Sequence, residues 1–469
     1  MGVLTLKYLL FVLIVFSIYW LCPNRYKKYF LLLSSLLFIL SYGLTKTIYL
    51  LAYVLVIYLL SIFASNISKL KISIILCILP LFLNKYLSLI TSLFNVTISF
   101  VNIPILGISF VCFRGISYIV DINNNKIKED NLINYLLYML LFPTLLSGPI
   151  EKAEEFINAI ETEKKISWND FVESIIIIFY GFIIKLVIAD RLSPIINAIY
   201  SNIEIYTKYA IFAILVYPIY IYCDFAGYSY IAFGASKLFG YNVTNNFLQP
   251  YFSQSIKEFW NRWHSSLNNW FKYYIYIPLG GNRKGKFRKY MNFFIIFTIS
   301  GIWHGSGLGF LIWGMLNALF QIIGEITQKY RTIIWGKLDG SFIQRIVRVI
   351  INYLLISITW IFFSRGFNGT IEVIKALFEY RKISFMEFAL DVCANANSSI
   401  SEVVIIVVFV LFTTITELLL YKNIKVSKIL ASKNVLIRYA VILILMFSII
   451  KFGKYGMDYN PDNFIYFDF

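Results

Sequence analysis

Two histidines are the only ones in the 469 residues of the chain, and both lie between residues 257 and 314. His264 directly follows Trp263, and His304 directly follows Trp303. Histidine is the side chain whose ordinary pKa lies closest to neutral pH, so these imidazoles carry most of the acid–base chemistry open to the chain. A neutral imidazole in apolar surroundings can accept a hydroxyl proton, which makes His304 a candidate general base.

Glycines surround His304 and allow two interpretations. Gly301, Gly305, Gly307 and Gly309 could line a narrow path for a thin acyl chain or a pantetheine arm. Small residues at such spacing also let membrane helices pack closely, with the histidine as a hydrogen-bonded packing residue. The residues alone leave both interpretations open. The sequence contains no Ser-His-Asp pattern, no H-E-x-x-H motif and no P-loop.

A basic turn separates the two Trp-His pairs. We expect the aromatic, amphipathic stretch before it, residues 256–276, to form a helix at the membrane interface. The turn Gly280-Gly281-Asn282-Arg283 could bind phosphate through its backbone N–H groups and the guanidinium of Arg283. A plain cytoplasmic loop is the alternative.

The composition indicates a multi-pass membrane protein. Hydrophobic residues make up 59% of the chain and charged residues 14%, and the mean hydropathy is +0.72, whereas soluble domains are about half apolar and a quarter charged. The net charge of +17 does not indicate nucleic acid, because the basic residues lie between apolar spans rather than on one folded face. None of the five cysteines forms a C-x-x-C pair, so we expect no metal site.

Apolar segments predict about eleven transmembrane helices, with additional re-entrant or interfacial helices. The short segments 227–241 and 290–304 are interpreted as re-entrant or broken helices. The candidate spans are roughly 5–22, 29–45, 47–64, 72–90, 98–120, 132–148, 171–189, 208–226, 227–241, 290–304, 306–328, 346–364, 402–421 and 436–453. Lys and Arg concentrate in alternate loops, most densely over residues 283–289, which predicts a cytoplasmic basic turn and an external N-terminus.

Charged residues also occur inside apolar surroundings. Asp224 and Lys185 lie within predicted spans, where an ionisable group suggests a functional site by default, and a local ion pair is the alternative. For the pair Asp190-Arg191 we favour the local interpretation, because both residues end a span. The mixed-charge loop 151–170 predicts an amphipathic helix at the membrane surface.

Three motifs together resemble the membrane-bound O-acyltransferase family, in particular its bacterial branch of alginate and peptidoglycan O-acetyltransferases. They are the stretches Phe259–His264, Tyr276–Arg283 and Gly301–Gly305. Weaker matches are Gly107–Phe110, Ser117-Tyr118, Ser147–Ile150, Asp224–Ser229 and the C-terminal Phe464–Phe467. The chain departs from the branch at Tyr230, where an acidic residue is usual, and at Glu151-Lys152, where an apolar-Arg pair is usual.

The resemblance implies an all-α, polytopic membrane helical bundle that encloses a tunnel and forms a single integral-membrane domain over residues 1–469. By that likeness His304 is the catalytic histidine and His264 the second active-site residue. The resemblance further implies substrate or tunnel positions at Trp303, Trp263, Asn261, Arg262 and Asp224, and cofactor-binding positions at Gly280, Gly281, Asn282 and Arg283.

The same resemblance implies an O-acetyltransferase in the cytoplasmic membrane. Acetyl-CoA would be the acyl donor, with no permanently bound cofactor. A cell-surface polysaccharide would be the acceptor, reached directly or through an extracellular or membrane-anchored SGNH/esterase-like partner. We expect membrane lipids around the bundle and no nucleic-acid partner.

Two rival functions remain open from the sequence. D-alanyl transfer to teichoic acid belongs to the same family and would use a carrier protein as donor, although the Pro-Leu-Gly-Gly-Asn-Arg turn favours the acetyl branch. A transporter of polysaccharide or lipid-linked sugar would explain the spans, but it would not explain two Trp-His pairs in a chain otherwise free of histidine.

Overall fold

The computed structural model describes residues 2–93, 105–127, 131–146, 148–162, 164–379, 386 and 388–455, and the regular structure in these ranges is helical. A lone bridge between Phe247 and Trp263 is the extent of β-pairing there. Three parts of the sequence-based predictions lie outside the described residues: the start of the expected span 98–120, Ser147, and the motif Phe464–Phe467.

Nineteen α-helices of six residues or more are described, labelled here in chain order. They are α1 Leu6–Leu21, α2 Asn24–Leu40, α3 Leu44–Phe63, α4 Ile67–Leu93, α5 Ile108–Asn123, α6 Leu132–Leu140, α7 Ala153–Ile160, α8 Trp168–Phe182, α9 Asp190–Ser201, α10 Ala210–Leu238, α11 Ile256–Arg262, α12 Ser265–Phe271, α13 Gly285–His304, α14 Leu308–Ile326, α15 Gln328–Trp335, α16 Phe342–Phe378, α17 Ile400–Tyr421, α18 Val426–Ala431 and α19 Val435–Phe452.

Eight helical stretches among the described residues are long and apolar enough to cross a membrane, which confirms the all-α polytopic class. They are Leu44–Phe63, Ile67–Leu87, Trp168–Ser201, Thr207–Leu238, Leu308–Ile326, Phe342–Phe378, Ile400–Tyr421 and Val435–Phe452. The apolar side chains of α19 are all at least partly exposed, as expected for a helix that faces lipid. The expected number of spans and the tunnel stay predictions.

Two of the sequence-based spans were wrong in form, and a third is part of a longer, unbroken helix. Residues 227–241 are not a separate segment, because α10 continues unbroken to Leu238. Residues 290–304 belong to a full helix of 20 residues, α13. The segment 132–148 is helical only to Leu140, since Pro143 cannot continue a helix.

The described residues divide into two compact units, Met1–Ile178 with Tyr228–Asn245, and Phe179–Gly227 with Asn246–Tyr459. The single-domain interpretation of residues 1–469 stays a prediction. Both Trp-His pairs lie in the second unit.

In the first unit, a buried arginine donates to carbonyl groups at the end of the short helix α6 and just after it. The guanidinium of Arg114 donates to the carbonyl oxygens of Met139, at 3.2 Å, and Thr144, at 2.6 Å. The predicted amphipathic helix over residues 151–170 is present as the shorter α7, which buries Phe156 and Ile160. The carboxylate before it, Glu151, accepts hydrogen bonds from Thr244, so the departure from the family pattern at this position has a structural use.

In the second unit, glycines bring α13, α14 and α16 into close contact. A Cβ on Gly301 would lie 2.4 Å from the carbonyl oxygen of Phe310, and one on Gly309 would lie 2.4 Å from that of Phe362. Since real Cβ atoms never approach so closely, these positions admit only glycine at this helix spacing. Gly301 and Gly309 therefore serve helix packing, one of the two interpretations that the sequence left open, and the acyl path stays a prediction.

The orientation of the bundle can be tested at the exposed start of α13. We expect a single cysteine introduced as Lys286→Cys to be protected from a membrane-impermeant maleimide in intact cells, because the basic turn is predicted to be cytoplasmic. It should label fully once the cells are opened. Lys286 suits this purpose better than Gly285, whose φ of +87° disfavours any side chain. The parent chain, treated in parallel, corrects for its own cysteines. Strong labelling from outside would reverse the orientation.

Candidate functional site

The first Trp-His pair lies at a break in the helix, not within one amphipathic helix as the sequence predicted. α11 ends at Arg262 and α12 begins at Ser265. Backbone hydrogen bonds across the break replace the helical ones: the N–H of Leu248 donates to the carbonyl of Arg262, and that of Ser265 to the carbonyl of Asn246, both at 2.9 Å. The break is thus stabilised by specific hydrogen bonds to the segment that precedes α11.

His264 occupies the break in a conformation that side chains rarely adopt. Its φ and ψ are 46° and 53°, in the left-handed region. Such strain persists only where the surrounding structure imposes it, and it clusters at functional sites. The ring packs edge-on against Phe225, with centroids 4.8 Å apart.

The imidazole of His264 is buried, and no other residue that the structure describes forms a hydrogen bond with its ring. The residue is 3% exposed, and neither ring nitrogen has a hydrogen-bond partner among the described residues. Burial lowers the pKa of His264 to about 3, so the ring is neutral near pH 7. Buried polar groups are nearly always hydrogen-bonded, and each exception calls for an explanation. A ligand that supplies a polar group to this ring is the explanation that fits an active site.

His304 is the last residue of α13 and is 4% exposed. Its ring lies against aromatic rings, with centroid distances of 4.6 Å to Trp303, 5.0 Å to Trp313, 5.0 Å to Phe363 and 6.5 Å to Phe310. The chain leaves the helix directly afterwards through Gly305, which is in an extended conformation. His304 is therefore positioned by packing at a helix end.

Aromatic contacts connect the two Trp-His pairs. Trp263 is 5.1 Å from Trp360, Trp360 is 5.8 Å from Trp313, and Trp313 is 5.0 Å from His304, measured between ring centroids. The indole N–H of Trp260 donates to the side chain of Asn317 at 3.1 Å beside this series. Sequence reasoning missed Trp313, Trp360 and Asn317. Their polar or aromatic side chains within apolar spans could have marked them as candidates. Their proximity to His304 arises only from tertiary packing, which the sequence does not show.

The two other predicted residues in the first motif have structural contacts. The side chain of Asn261 is exposed and accepts a hydrogen bond from Asn268 at 3.1 Å. Arg262 donates to Glu258 at 2.9 Å and to the carbonyl of Leu248 at 2.8 Å. Arg262 thus helps to hold the break that carries His264.

Asp224 belongs to a buried cluster of three charges. The ammonium of Lys185 lies 2.5 Å from a carboxylate oxygen of Asp224 and 2.6 Å from one of Asp190. Lys185 sits on a π-helical turn, Ile183–Ala189, a distortion often found at functional sites. The prediction that Asp190 forms a local ion pair is confirmed by its contact with Lys185. Arg191 instead pairs with Glu402 of the distant helix α17, with its guanidinium nitrogen 2.7 Å from a carboxylate oxygen.

The glycine turn lies apart from the histidines, at the start of α13. Gly280 and Gly281 have φ of +96° and +56°, which explains the need for glycine at both positions. Asn292 holds the turn by donating to the carbonyl of Gly281 at 2.9 Å. Asn282 and Arg283 are exposed. Their role in binding a donor stays a prediction. Within the described ranges, no group of three His, Cys, Asp or Glu residues is arranged to hold a metal ion.

Comparisons with known proteins agree with the motifs. The model of MBOAT, the membrane-bound O-acyltransferase family, matches residues 121–365. A probable alginate O-acetylase of Pseudomonas syringae pv. tomato is 37% identical over 272 residues, 56% of this chain and 49% of that protein. A peptidoglycan O-acetyltransferase of Helicobacter pylori is 26% identical over 325 residues, 62% of this chain and 60% of that protein.

A third relative belongs to the rival branch. A teichoic acid D-alanyltransferase of Bacillus subtilis is 30% identical over 274 residues, 55% of this chain and 68% of that protein. The match spans about half the length of the alginate O-acetylases.

The charge cluster predicts a large effect on stability. Lys185→Met removes the cation that two buried carboxylates share, so it should lower the free energy of unfolding by about 3–5 kcal/mol. In a double-mutant cycle, the variant with both Lys185→Met and Asp224→Asn should lose less free energy of unfolding than the two single variants lose in sum. The reason is that Asp224→Asn removes a buried carboxylate that Lys185→Met leaves without its cation. Thermal unfolding of the purified protein measures both effects.

The matched control for this cycle is a more exposed ion pair in the same unit. The ammonium of Lys454 lies 3.5 Å from the carboxylate of Glu402, and the side chain of Lys454 is 28% exposed. Lys454→Met should therefore lower the free energy of unfolding by about 1 kcal/mol or less. Equal losses for Lys454→Met and Lys185→Met would show that the buried cluster contributes no special stability.

Proposed function

Because the chain belongs to the membrane-bound O-acyltransferase family, we propose that it transfers an acetyl group from cytoplasmic acetyl-CoA to hydroxyl groups of a cell-surface polysaccharide. The single observation that carries this proposal is the pair of buried imidazoles connected through one aromatic cluster. His264 within it has ring nitrogens with no hydrogen-bond partner among the described residues.

The proposed chemistry assigns different roles to the two histidines. The hydroxyl oxygen of the acceptor attacks the carbonyl carbon of the thioester, and His304 accepts the hydroxyl proton through a ring nitrogen. The carbon–sulfur bond breaks and the thiolate leaves. His264, neutral at pH 7, has one N–H to donate, and it stabilises the negative charge that develops on the carbonyl oxygen. The low polarity around both rings strengthens these interactions.

The acetyl group and the acceptor are proposed from the relatives. The alginate O-acetylases and the peptidoglycan O-acetyltransferase are named for acetyl transfer to a polysaccharide, and the Tyr276–Arg283 motif matches their branch. Transfer would be direct or would pass through an extracellular or membrane-anchored SGNH/esterase-like partner. The protein would act in the cytoplasmic membrane, with the donor on the side of the basic turn.

D-alanyl transfer to teichoic acid is a second candidate, favoured by the match to two thirds of a D-alanyltransferase. The two functions differ in the donor. Purified protein should release labelled acetyl groups from acetyl-CoA, or pass them to an acceptor, if the first proposal is right. Turnover of a D-alanyl carrier protein with no turnover of acetyl-CoA would replace it by the second.

Replacement of His304 tests the catalytic assignment. His304→Gln keeps much of the side-chain volume but cannot act as the base, so we expect transfer to fall by about a hundredfold or more. O-acetylation of surface polysaccharide, measured in cells that lack the native copy, gives the effect. Thermal unfolding of the purified variant should stay near that of the wild type.

His264→Ala provides the comparison within the same site. It should retain more activity than His304→Gln, because it removes polarisation of the carbonyl rather than the proton acceptor. Near-normal acetylation with His304→Gln would show that His304 serves only for packing.

A further inference from the structure

A mainly apolar pocket of about 260 Å³ lies in the second unit, against α17. Its walls are α10, the segment Gln249–Phe252, the first third of α16 and the second half of α17. Most of its lining side chains are aromatic or aliphatic, among them Ile219, Tyr222, Tyr251, Phe252, Tyr353 and Val410. Neither histidine belongs to this lining. The pocket therefore suits an apolar ligand and lies beside the proposed catalytic residues rather than among them.

The pocket opens on the outer face of α17. Thr414 lines the pocket and is itself exposed. Its neighbours one turn away, Leu411 and Leu418, are 57% and 38% exposed. Since α17 is long and apolar enough to cross a membrane, these exposed apolar side chains face lipid. A lipid chain can therefore reach the pocket from within the bilayer.

The end of α17 carries the charge that an anionic headgroup needs. Lys422 caps the helix, four residues after Leu418 and eight after Thr414, so these three positions follow one face of α17. Lys425 comes next in the same loop, and both lysines are exposed.

No carboxylate competes for these two lysines. No acidic residue occurs in the sequence between Glu417 and Asp458. The ion pairs among the described residues include neither Lys422 nor Lys425. The acidic residue in the pocket lining, Glu417, accepts a hydrogen bond from the phenol of Tyr180 at 2.9 Å and belongs to the pocket wall. The charge of both lysines therefore remains available to a ligand.

The length of α17 between these features matches the dimensions of a phospholipid. At a rise of about 1.5 Å per residue, Thr414 lies about 12 Å and Val410 about 18 Å along the helix from Lys422. One leaflet of a bilayer contributes about 15 Å of hydrocarbon, half of a core of about 30 Å. A lipid whose phosphate meets Lys422 thus has the far half of its acyl chain at the depth of the pocket.

The pocket shares a wall with the first Trp-His pair. The rings of Tyr222 and Tyr251 line the pocket, and their centroids lie 6.3 Å and 6.0 Å from that of Trp263. A chain in the pocket covers the side of these rings that the protein leaves open. An occupant therefore supports the packing behind Trp263 without entering the site.

We propose that an anionic phospholipid binds here, with one acyl chain in the pocket and its phosphate at Lys422 and Lys425. By the predicted orientation of the basic loops, the lipid belongs to the cytoplasmic leaflet. Basic residues that flank a membrane helix attract anionic lipids in general. The pocket adds a place for one chain, which makes this attraction a defined site. The inference does not depend on the acyl transfer proposed above.

Binding of phosphatidylglycerol to the full chain in detergent, measured by native mass spectrometry, tests the charged half of the site. The variant with both Lys422→Gln and Lys425→Gln should bind this lipid about tenfold more weakly or worse. The matched control carries Lys428→Gln and Lys433→Gln, which remove the same charge from exposed positions on α18 and just after it. It should bind as the wild type does. An equal loss in the two variants would show general attraction to basic residues and overturn the site.

A second pair of variants tests the pocket. Thr414→Phe places a ring at the mouth of the pocket, at an exposed position that tolerates it, and should weaken phosphatidylglycerol binding by a similar factor. Thr416→Phe, on the same helix but outside the lining, is the control and should bind normally. Thermal unfolding near that of the wild type should confirm that all variants are folded. Unchanged binding in Thr414→Phe overturns the assignment of the pocket.

Two further ligands separate the chain from the headgroup. Phosphatidylcholine with the same acyl chains has no net charge and should bind about tenfold more weakly than phosphatidylglycerol. Glycerol 3-phosphate has the phosphate but no chain, and it should not displace the bound lipid. Equal affinity for the two lipids overturns the role of Lys422 and Lys425, and displacement by glycerol 3-phosphate overturns the role of the acyl chain.

Discussion

The hydrogen bonds between Asn246–Leu248 and Arg262–Ser265 are the constraint on which the site depends. In an apolar environment, a helix can be interrupted only where another segment satisfies its backbone groups. Here that segment supplies two backbone hydrogen bonds of 2.9 Å, and the side chain of Asn246 accepts a third, from Ser266, at 2.6 Å. Without them α11 and α12 would run as one helix, and His264 would lose the left-handed backbone that directs its ring toward Phe225.

The second constraint is the close approach of three helices around His304. The absence of side chains at Gly301 and Gly309 lets α14 touch α13 on one side and α16 on the other. Trp313, carried by α14, and Phe363, carried by α16, then reach the ring of His304. The glycines therefore act on the histidine through helix spacing, and larger residues there would displace the rings that hold the imidazole.

The sequence was informative where the signal is local. Histidine is so rare in this chain that His264 and His304 were evident, and apolar length was enough for the all-α membrane class. The break at Trp263 could not be predicted, because the aromatic periodicity of residues 256–276 suits a helix and its cause lies in residues 246–248. The Lys185–Asp224 pair joins residues of different helices, and a single sequence does not contain that information.

The two histidines differ in how the protein holds them, and this difference supports different roles. His304 ends a regular helix, and its ring contacts Trp303, Trp313 and Phe363. His264 sits in a strained conformation with ring nitrogens that find no partner among the described residues, and both features are unfavourable in the ligand-free protein. A group that hydrogen-bonds His264 removes part of this cost when it binds. In the reaction proposed above, the oxygen that gains negative charge would form the strongest such hydrogen bond, so the arrangement would favour the transition state over the ground state.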